Sequence, residues 1–102
     1  MARIAIVVPT WVGHLNPMTT LGRELQRRGH EVLVLSFPES APRIAKAGLD
    51  FRCIGSDVFP EGEWERRTRV LSGLCGLAAS RFTIDWIRDM TSVMQGIDTN
   101  LV

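Results

Sequence analysis

The sequence predicts an α/β fold with a parallel, Rossmann-like sheet. Two runs rich in apolar, β-branched residues, Ile4–Val8 and Glu31–Ser36, flank an amphipathic segment, and a third strand is predicted at Asp50–Ile54. Parallel strands need a crossover of a dozen or more residues, usually a helix, and such crossovers are right-handed. The pattern is therefore a β-α-β-α-β unit, for which we expect the strand order 3-2-1.

The first strand has no alternation of apolar and polar residues. Ile4–Val8 is continuously apolar, as expected for a strand covered on both faces of a parallel sheet. Asp50–Ile54 alternates more, and we expect it nearer an edge of the sheet. A doubly wound sheet continues past its first strand, since its ligand crevice lies where the strand order reverses. We therefore expect a further strand beside the first one.

The helix between the first two strands is predicted over about residues 16–28. Asn16 provides a capping amide and Pro17 suits a first helical position. Gly29, after Arg27 and Arg28, is a typical C-terminal stop. One face of this helix carries three apolar side chains, Met18, Leu21 and Leu25.

The remaining chain is predicted to be mostly helical. Pro38-Glu39-Ser40 opens a short helix that ends at Gly48, and Ser56–Glu63 is predicted to be a loop. Two helical patterns follow. The first, about 64–79, aligns Trp64, Thr68, Leu71, Leu74, Cys75 and Ala78 on one side. The second aligns Phe82, Trp86, Met90, Val93, Met94, Ile97 and Leu101.

Composition bounds the class of protein. A chain of 102 residues fits one domain, and a net charge of +1 argues against a nucleic-acid partner. Cys53 and Cys75 form no CxxC pair, so we expect no zinc and no disulfide, only reduced and mostly buried thiols. The apolar run before Pro9 is too short for a signal peptide or membrane span, which predicts a cytoplasmic chain.

His14 is the candidate catalytic residue. It follows the first strand, and ligands of open α/β sheets bind at the carboxyl ends of the strands. A lone histidine in a loop is more often a surface residue without a catalytic role. A catalytic role for His14 therefore depends on the residues around it. The adjacent helix N-terminus disfavours an imidazolium, leaving a neutral base, and its N–H groups suit a phosphate. Of the three glycines in a G-x-G-x-x-G dinucleotide-binding motif, the sequence has only Gly13 here. It also lacks the Gly-Lys-Ser/Thr of a P-loop.

The motifs around His14 resemble a known family. The pattern P-x-x-x-G-H-x-x-P over residues 9–17, followed by L-x-x-x-L-x-x-R-G-H-x-V over residues 21–32, is similar to the amino-terminal domain of the UDP-glycosyltransferase superfamily. These are inverting enzymes built from two Rossmann-like halves. The segment Ala47–Phe51 is similar to the family's entry into the third strand. The resemblance covers roughly residues 3–60, and bacterial members that glycosylate macrolides or carotenoids are the nearest.

The resemblance implies roles for particular residues. His14 matches the general base that takes a proton from an acceptor hydroxyl while the hydroxyl oxygen attacks the anomeric carbon of a UDP-sugar. The family orients this base with an aspartate, which we expect beyond Val102 and not at Asp85, Asp89 or Asp98. No cofactor or metal is implied. The residues expected to contact substrate are Trp11, Gly13, Asn16, Met90 and Met94.

The resemblance also implies a larger enzyme. We expect residues 1–102 to form part of the amino-terminal, acceptor-binding domain, with a β-α-β-α-β part over about 1–55 and a helical part over about 64–101. The donor-binding carboxyl-terminal half is missing, so the chain alone should transfer no sugar. Its uncovered sheet edge or last helix should favour self-association.

Two other functions stay open. One is a nucleotide- or flavin-binding module, which the single glycine disfavours, and the other is a non-catalytic subunit that pairs with a donor-binding chain. Of the remaining candidate residues, His30 is expected to be structural or solvated, and Trp11 either covers the sheet end or walls the acceptor cleft. Trp64 and Trp86 are expected in the core. The arginines of residues 66–69 are expected on a solvated helix face, with a membrane-surface role as the alternative.

Overall fold

The computed structural model describes residues 2–97 and confirms the α/β class. Its elements are β1 (Arg3–Val7), α1 (Val12–Arg27), β2 (Glu31–Ser36), a 3-10 turn (Pro38–Ser40), α2 (Ala41–Lys46), β3 (Asp50–Cys53), α3 (Glu63–Ser72) and α4 (Gly76–Gln95). The three strands are parallel and β2 lies between the other two, which confirms the predicted order 3-2-1.

The carboxyl ends of the strands meet at one side of the sheet. Val8 donates its backbone N–H to Leu35 at 3.1 Å, and Ile54 donates to Ser36 at 2.9 Å, so pairing continues just past the end of each outer strand. We call this side the carboxyl edge. It is where Trp11, Phe37 and Gly55 follow their strands.

Helix α1 begins four residues earlier than predicted. Its N-cap is Trp11, whose carbonyl accepts the N–H groups of both His14 and Leu15 at 2.9 Å. The predicted cap at Asn16 and first position at Pro17 are wrong, because Pro17 lies inside the helix. Proline lacks the N–H that residue 17 would otherwise donate to the Gly13 carbonyl. The helix therefore loses one backbone hydrogen bond near its start.

The buried face of α1 also differs from the prediction. Leu21 is 46% exposed, whereas Leu15 and Gly22 are buried and Met18 and Leu25 pack beside them. The spacing from Leu15 to Met18 and Gly22 is as regular as the predicted one, but it starts in the residues assigned to a loop. A Cβ at Gly22 would lie 3.0 Å from Leu49, so the small residue lets the helix approach the rest of the core.

The helical region divides at Gly73–Cys75 and not near residue 80 as predicted. Gly76 has a φ of +59°, a left-handed conformation that suits glycine, and α4 starts there. Ala78 therefore belongs to α4, and Cys75 is an exposed N-cap residue. Leu101 lies outside the described residues.

Two cores fill the molecule. The first lies between the sheet and the helices α1 and α2, and contains Ile6, Val8, Leu15, Val32, Val34, Ile44 and Leu49. The second, which we call the aromatic cluster, lies at the carboxyl edge beneath α3 and α4 and contains Phe37, Phe59, Trp64, Trp86 and Met90. Trp64 and Trp86 are 5% and 1% exposed, which confirms their predicted core positions.

Several surfaces are more open than expected. Within residues 2–97, β1 pairs only with β2, and Val7 is 37% exposed rather than covered on both sides. Cys53 and Cys75 are free, as expected, but both are exposed, so the prediction of buried thiols is wrong. Helix α4 presents Leu77, Ile84 and Ile87 to solvent. No helix in the described part combines the length and apolar character needed to cross a membrane.

Candidate active site at the carboxyl edge of the sheet

His14 lies in the first turn of α1, directly after β1, and its side chain is exposed at the carboxyl edge. The predicted location at this edge is confirmed, although His14 is helical and not in a loop. Its backbone N–H is already bonded to the Trp11 carbonyl, which leaves the N–H groups of Val12 and Gly13 without a backbone acceptor among residues 2–97. Among residues 2–97, no side chain forms a hydrogen bond with the imidazole.

Trp11 forms the wall beside His14. The centroids of the two rings are 5.6 Å apart, with the planes inclined by 49°. Trp11 itself packs against two further tryptophans, because it lies 5.2 Å from both Trp64 and Trp86, and these two lie 5.0 Å from each other. Trp11 is half-buried, so it both covers the end of the sheet and borders the exposed imidazole.

One buried donor in this cluster is unsatisfied. The indole Nε1 of Trp86 has no hydrogen-bond partner within the described residues, although the side chain is almost fully enclosed. Buried donors are nearly always paired because an unmade hydrogen bond costs about 1–3 kcal/mol. Ring contacts of Trp86 with Trp11, Trp64 and Phe82 offset part of that cost.

Helix α3 is held over the carboxyl edge by a carboxylate from another part of the chain. Glu39 accepts the backbone N–H groups of Gly62 and Trp64 at 3.1 and 2.8 Å, and that of Glu65 at 3.2 Å. The helix has no side-chain cap of its own, and an anion at this end complements the helix dipole. Glu39 therefore sets where Trp64 enters the aromatic cluster.

Arg67 ties α3 to α4 and is not solvated as predicted. Its side chain is 13% exposed, its guanidinium lies 4.5 Å above the ring of Phe59, and Nη1 donates to Asp89 at 2.8 Å. The neighbouring Arg66 is exposed and pairs with Glu63, and Arg69 is exposed too, in agreement with the prediction for those two. Asp89 is thus occupied by Arg67 rather than by His14.

A chain of hydroxyl groups stabilises the turn that precedes Trp11. Ser36 Oγ lies 2.6 Å from the Val8 carbonyl and 2.8 Å from Ser40 Oγ, which lies 2.9 Å from Thr10 Oγ1. A carbonyl only accepts, so Ser36 donates to Val8, Ser40 donates to Ser36, and Thr10 donates to Ser40. This arrangement fixes the backbone after β1 to the segment after β2.

The other predicted site residues are distributed over two locations. Gly13 is exposed beside His14, and a Cβ built on it would meet no atom within 4 Å. Asn16 does not face the aromatic cluster; its Oδ1 accepts a hydrogen bond from Arg43 of α2 at 3.2 Å. Met90 is buried in the aromatic cluster, so its observed role is packing, and Met94 is half-buried. Contact of these two residues with substrate stays a prediction.

His30 and a shallow cavity lie at the amino ends of the strands, opposite the carboxyl edge. The Ala2 N–H donates to His30 Nδ1 at 2.9 Å, which confirms the structural role predicted for this histidine. A shallow cavity of about 530 Å³ beside it is lined by charged residues such as Glu31 and Asp50 at the amino ends of the strands. In the described part, no group of three or more His, Cys, Asp or Glu residues is placed to hold a metal.

Sequence reasoning missed Glu39 and the hydroxyl chain. Both depend on contacts between residues more than 20 positions apart, and no local pattern marks such pairs. One feature of the sequence could have pointed to such a contact. Helix α3 begins at Gly62 and Glu63 without a capping side chain of its own, so a cap from elsewhere in the chain is needed. Asp98, considered and set aside as a partner for His14, lies outside the described residues.

Comparison with known proteins supports one family. A sterol 3-beta-glucosyltransferase from Eremothecium gossypii is 34% identical over 91 residues, covering 84% of this chain and 7% of that protein. Among solved structures, the calicheamicin glycosyltransferase CalG4 matches with a TM-score of 0.57 and 19% identity, covering 92% of this chain and 22% of that chain. The chain is a UDP-glycosyltransferase superfamily segment. No protein-family profile matches it.

The two matches support different parts of this identification. The match to CalG4, at 19% identity, supports the fold alone. The sequence match to the Eremothecium gossypii protein supports the relationship to the family. The chain spans less than a tenth of the curated relative and about a fifth of CalG4.

Proposed function

We propose that this segment forms the acceptor side of an inverting glycosyltransferase in which His14 is the general base. The observation that carries the proposal is the exposed imidazole at the carboxyl edge, beside the half-buried indole of Trp11. Histidine is the side chain most often used for proton transfer near neutral pH, and this edge is where α/β sheets place their ligands.

The proposed reaction needs one proton acceptor on this chain. A ring nitrogen of His14 takes the proton of an acceptor hydroxyl while the hydroxyl oxygen forms a bond to the anomeric carbon of the sugar. The bond from that carbon to the nucleotide diphosphate breaks with inversion, and the diphosphate leaves with the electron pair. Attack and proton removal are thus coupled at one site, and no metal on this chain is required.

The acceptor is proposed to be small and apolar. Trp11 supplies an aromatic wall for such a molecule next to the base, and the cluster behind it holds that wall in place. The named activity of the Eremothecium gossypii relative makes a sterol the first acceptor to test. The donor is proposed to be a UDP-sugar bound mainly by a second, carboxyl-terminal half in a cytoplasmic enzyme, so that residues 1–102 alone transfer no sugar.

The test of the base uses a longer polypeptide that contains this segment together with a donor-binding half. Glucosylation of cholesterol or ergosterol from UDP-glucose is measured for the parent protein and for His14→Gln. We expect kcat to fall by at least about 1,000-fold, within the range that general-base removal produces. Turnover within tenfold of the parent value would contradict the assignment.

The matched control is His30→Gln. It makes the same chemical change at the amino ends of the strands, where His30 only accepts the Ala2 N–H. We expect its turnover to stay near the parent value. Equal losses in both variants would indicate a general effect on folding and would count against a specific role for His14.

Acceptor binding is measurable on the 102-residue chain itself. All three tryptophans of the sequence belong to one contact group, and there is no tyrosine, so intrinsic fluorescence reports on this site. We expect a saturable change on adding a cyclodextrin-solubilised sterol, weakened in Trp11→Ala. The absence of any change would contradict the proposed acceptor surface.

A further inference from the structure

A groove between α1 and α2 carries a concentration of positive charge. It has a volume of about 290 Å³ and is lined by Leu15, Asn16, Thr19, Arg23, Arg43, Lys46 and Ala47. None of the described residues that line it is acidic. We call it the basic groove.

The three cations of the basic groove have no carboxylate partner in the part of the chain that the structure describes. Most other arginines of the described residues form ion pairs, such as Arg27 and Arg28 with Glu24, but Arg23, Arg43 and Lys46 form none within residues 2–97. Like charges gathered around one cavity repel one another, which costs stability unless an anion enters. The basic groove therefore has an excess of positive charge that a bound anion would neutralise.

One of these cations is held in place. Arg43 Nη1 donates to the side-chain oxygen of Asn16 at 3.2 Å, across the groove from α2 to α1. The backbone carbonyl of Asn16 in turn accepts the hydroxyl of Thr19 at 3.1 Å. A guanidinium oriented before the ligand arrives loses less entropy on binding, and its planar N–H groups match phosphate oxygens in pairs.

We propose that the basic groove binds a phosphate-bearing anion. The two arginines supply paired N–H donors and Lys46 supplies a third, compact charge. A cavity of this size is at the lower end for ligand sites, which suits a pyrophosphate or a single lipid headgroup. Both sources present the same oxygens, and the experiment separates them.

This site is separate from the one proposed for sugar transfer. Successive helical residues are rotated by about 100°, so Asn16 projects about 200° around α1 from His14. One flank of α1 carries the three groove residues Asn16, Thr19 and Arg23. The imidazole of His14 lies on the opposite flank, with the buried face of α1 between the two. The proposal therefore stands whether or not His14 is a general base.

The experiment measures anion binding to the 102-residue chain by isothermal titration calorimetry. Inorganic pyrophosphate is titrated at constant ionic strength into the parent chain, Arg43→Gln, Lys46→Gln and Arg81→Gln. We expect saturable binding that weakens about tenfold in each groove variant, as expected for losing a charge-assisted hydrogen bond. Arg81→Gln is the matched control, since Arg81 is an exposed arginine of α4 outside the groove.

A second arm tests the lipid source. The same four proteins are sedimented with vesicles of phosphatidylcholine containing phosphatidic acid, and with phosphatidylcholine alone. Binding to the anionic vesicles that falls in Arg43→Gln and Lys46→Gln, but not in Arg81→Gln, supports a lipid headgroup. The same pattern confined to pyrophosphate supports a free anion.

Two results overturn the proposal. One is no binding of either probe by the parent chain, and the other is an equal loss of binding in all three variants, which indicates nonspecific charge attraction. Far-UV circular dichroism of each variant accompanies the titration. If Arg43→Gln is unfolded, Lys46→Gln decides the question, because Lys46 is exposed at the end of α2.

Discussion

The imidazole of His14 lies against the indole of Trp11, with the two ring centroids 5.6 Å apart. Trp11 is in turn held by Trp64 of α3 and Trp86 of α4, each 5.2 Å away. The surroundings of the proposed base therefore depend on two helices that are distant in sequence, since α3 begins at Glu63 and α4 at Gly76. Changes in those helices are expected to affect the site without touching it.

Gly55 is expected to be the least replaceable glycine at the carboxyl edge. It has a φ of +64°, and a Cβ there would lie 2.6 Å from Val93 Cγ1 and 3.1 Å from Phe37. We expect Gly55→Ala to destabilise the protein by about 2–5 kcal/mol, the sum of a left-handed backbone penalty and overpacking. Urea unfolding followed by circular dichroism measures the difference.

Gly48 provides the control for that change. Its φ of +76° is similar, but a Cβ built there would meet no atom within 4 Å. Gly48→Ala should therefore cost only the backbone penalty of about 1–2 kcal/mol. Equal costs at the two positions would show that the contact with Val93 of α4 does not contribute.

Glu39 is expected to stabilise α3 through its charge. Glu39→Gln keeps an oxygen acceptor but loses the negative charge that three backbone N–H groups share. We expect a loss of about 1 kcal/mol in the free energy of unfolding. Glu61→Gln, one residue before the N-cap and exposed, should change it by less than about 0.5 kcal/mol. A cost for Glu61→Gln as large as that for Glu39→Gln would argue against a specific cap.

Trp86 is expected to tolerate phenylalanine far better than alanine. Trp86→Ala removes a side chain that is 1% exposed and should cost about 3–5 kcal/mol. Trp86→Phe keeps most of the ring and removes the unpartnered Nε1 donor, so we expect a cost of only about 1 kcal/mol. A cost for Trp86→Phe near that of Trp86→Ala would contradict this expectation. Thermal unfolding of both variants gives the comparison.

Glu24 is expected to make α1 sensitive to acid. Hydrogen bonds from Arg27, and then from Arg28, lower the pKa of the Glu24 carboxyl from 4.5 to about 2. A lowered pKa means that the native state favours the charged form, so this contribution is present above pH 4.5 and is lost as the pH falls towards 2. The Glu24 side chain is 41% exposed and its two arginine partners are exposed further, so the effect should be small and should weaken with added salt.

The measurement for Glu24 is a difference between two proteins. Unfolding midpoints of the parent chain and Glu24→Gln are compared from pH 6 to pH 2, at low and high ionic strength. We expect the parent to be the more stable near pH 6 and the gap to close on acidification. A gap that does not depend on pH would contradict the role of the carboxylate.

The sequence was most informative where short apolar runs and glycines mark the elements. The apolar runs and the glycines at positions 29 and 48 were enough for three parallel strands, their order and the first helix stop. It was least informative at the start of α1, because Asn16-Pro17 is a strong local start signal. The carbonyl of Trp11 begins the helix earlier, and Leu15 is thereby brought into the core.

The expected self-association and the substrate contacts of Met90 and Met94 stay predictions. What the sequence by itself determined is the α/β class, the parallel strand order and the position of His14 where a strand ends. These follow from local apolar patterns and from the helical crossovers that join parallel strands. Only the tertiary structure decided that Trp11 joins Trp64 and Trp86, that Glu39 caps α3, and that the basic groove forms between α1 and α2. Each of these joins residues distant in sequence, and their contact depends on how whole helices pack.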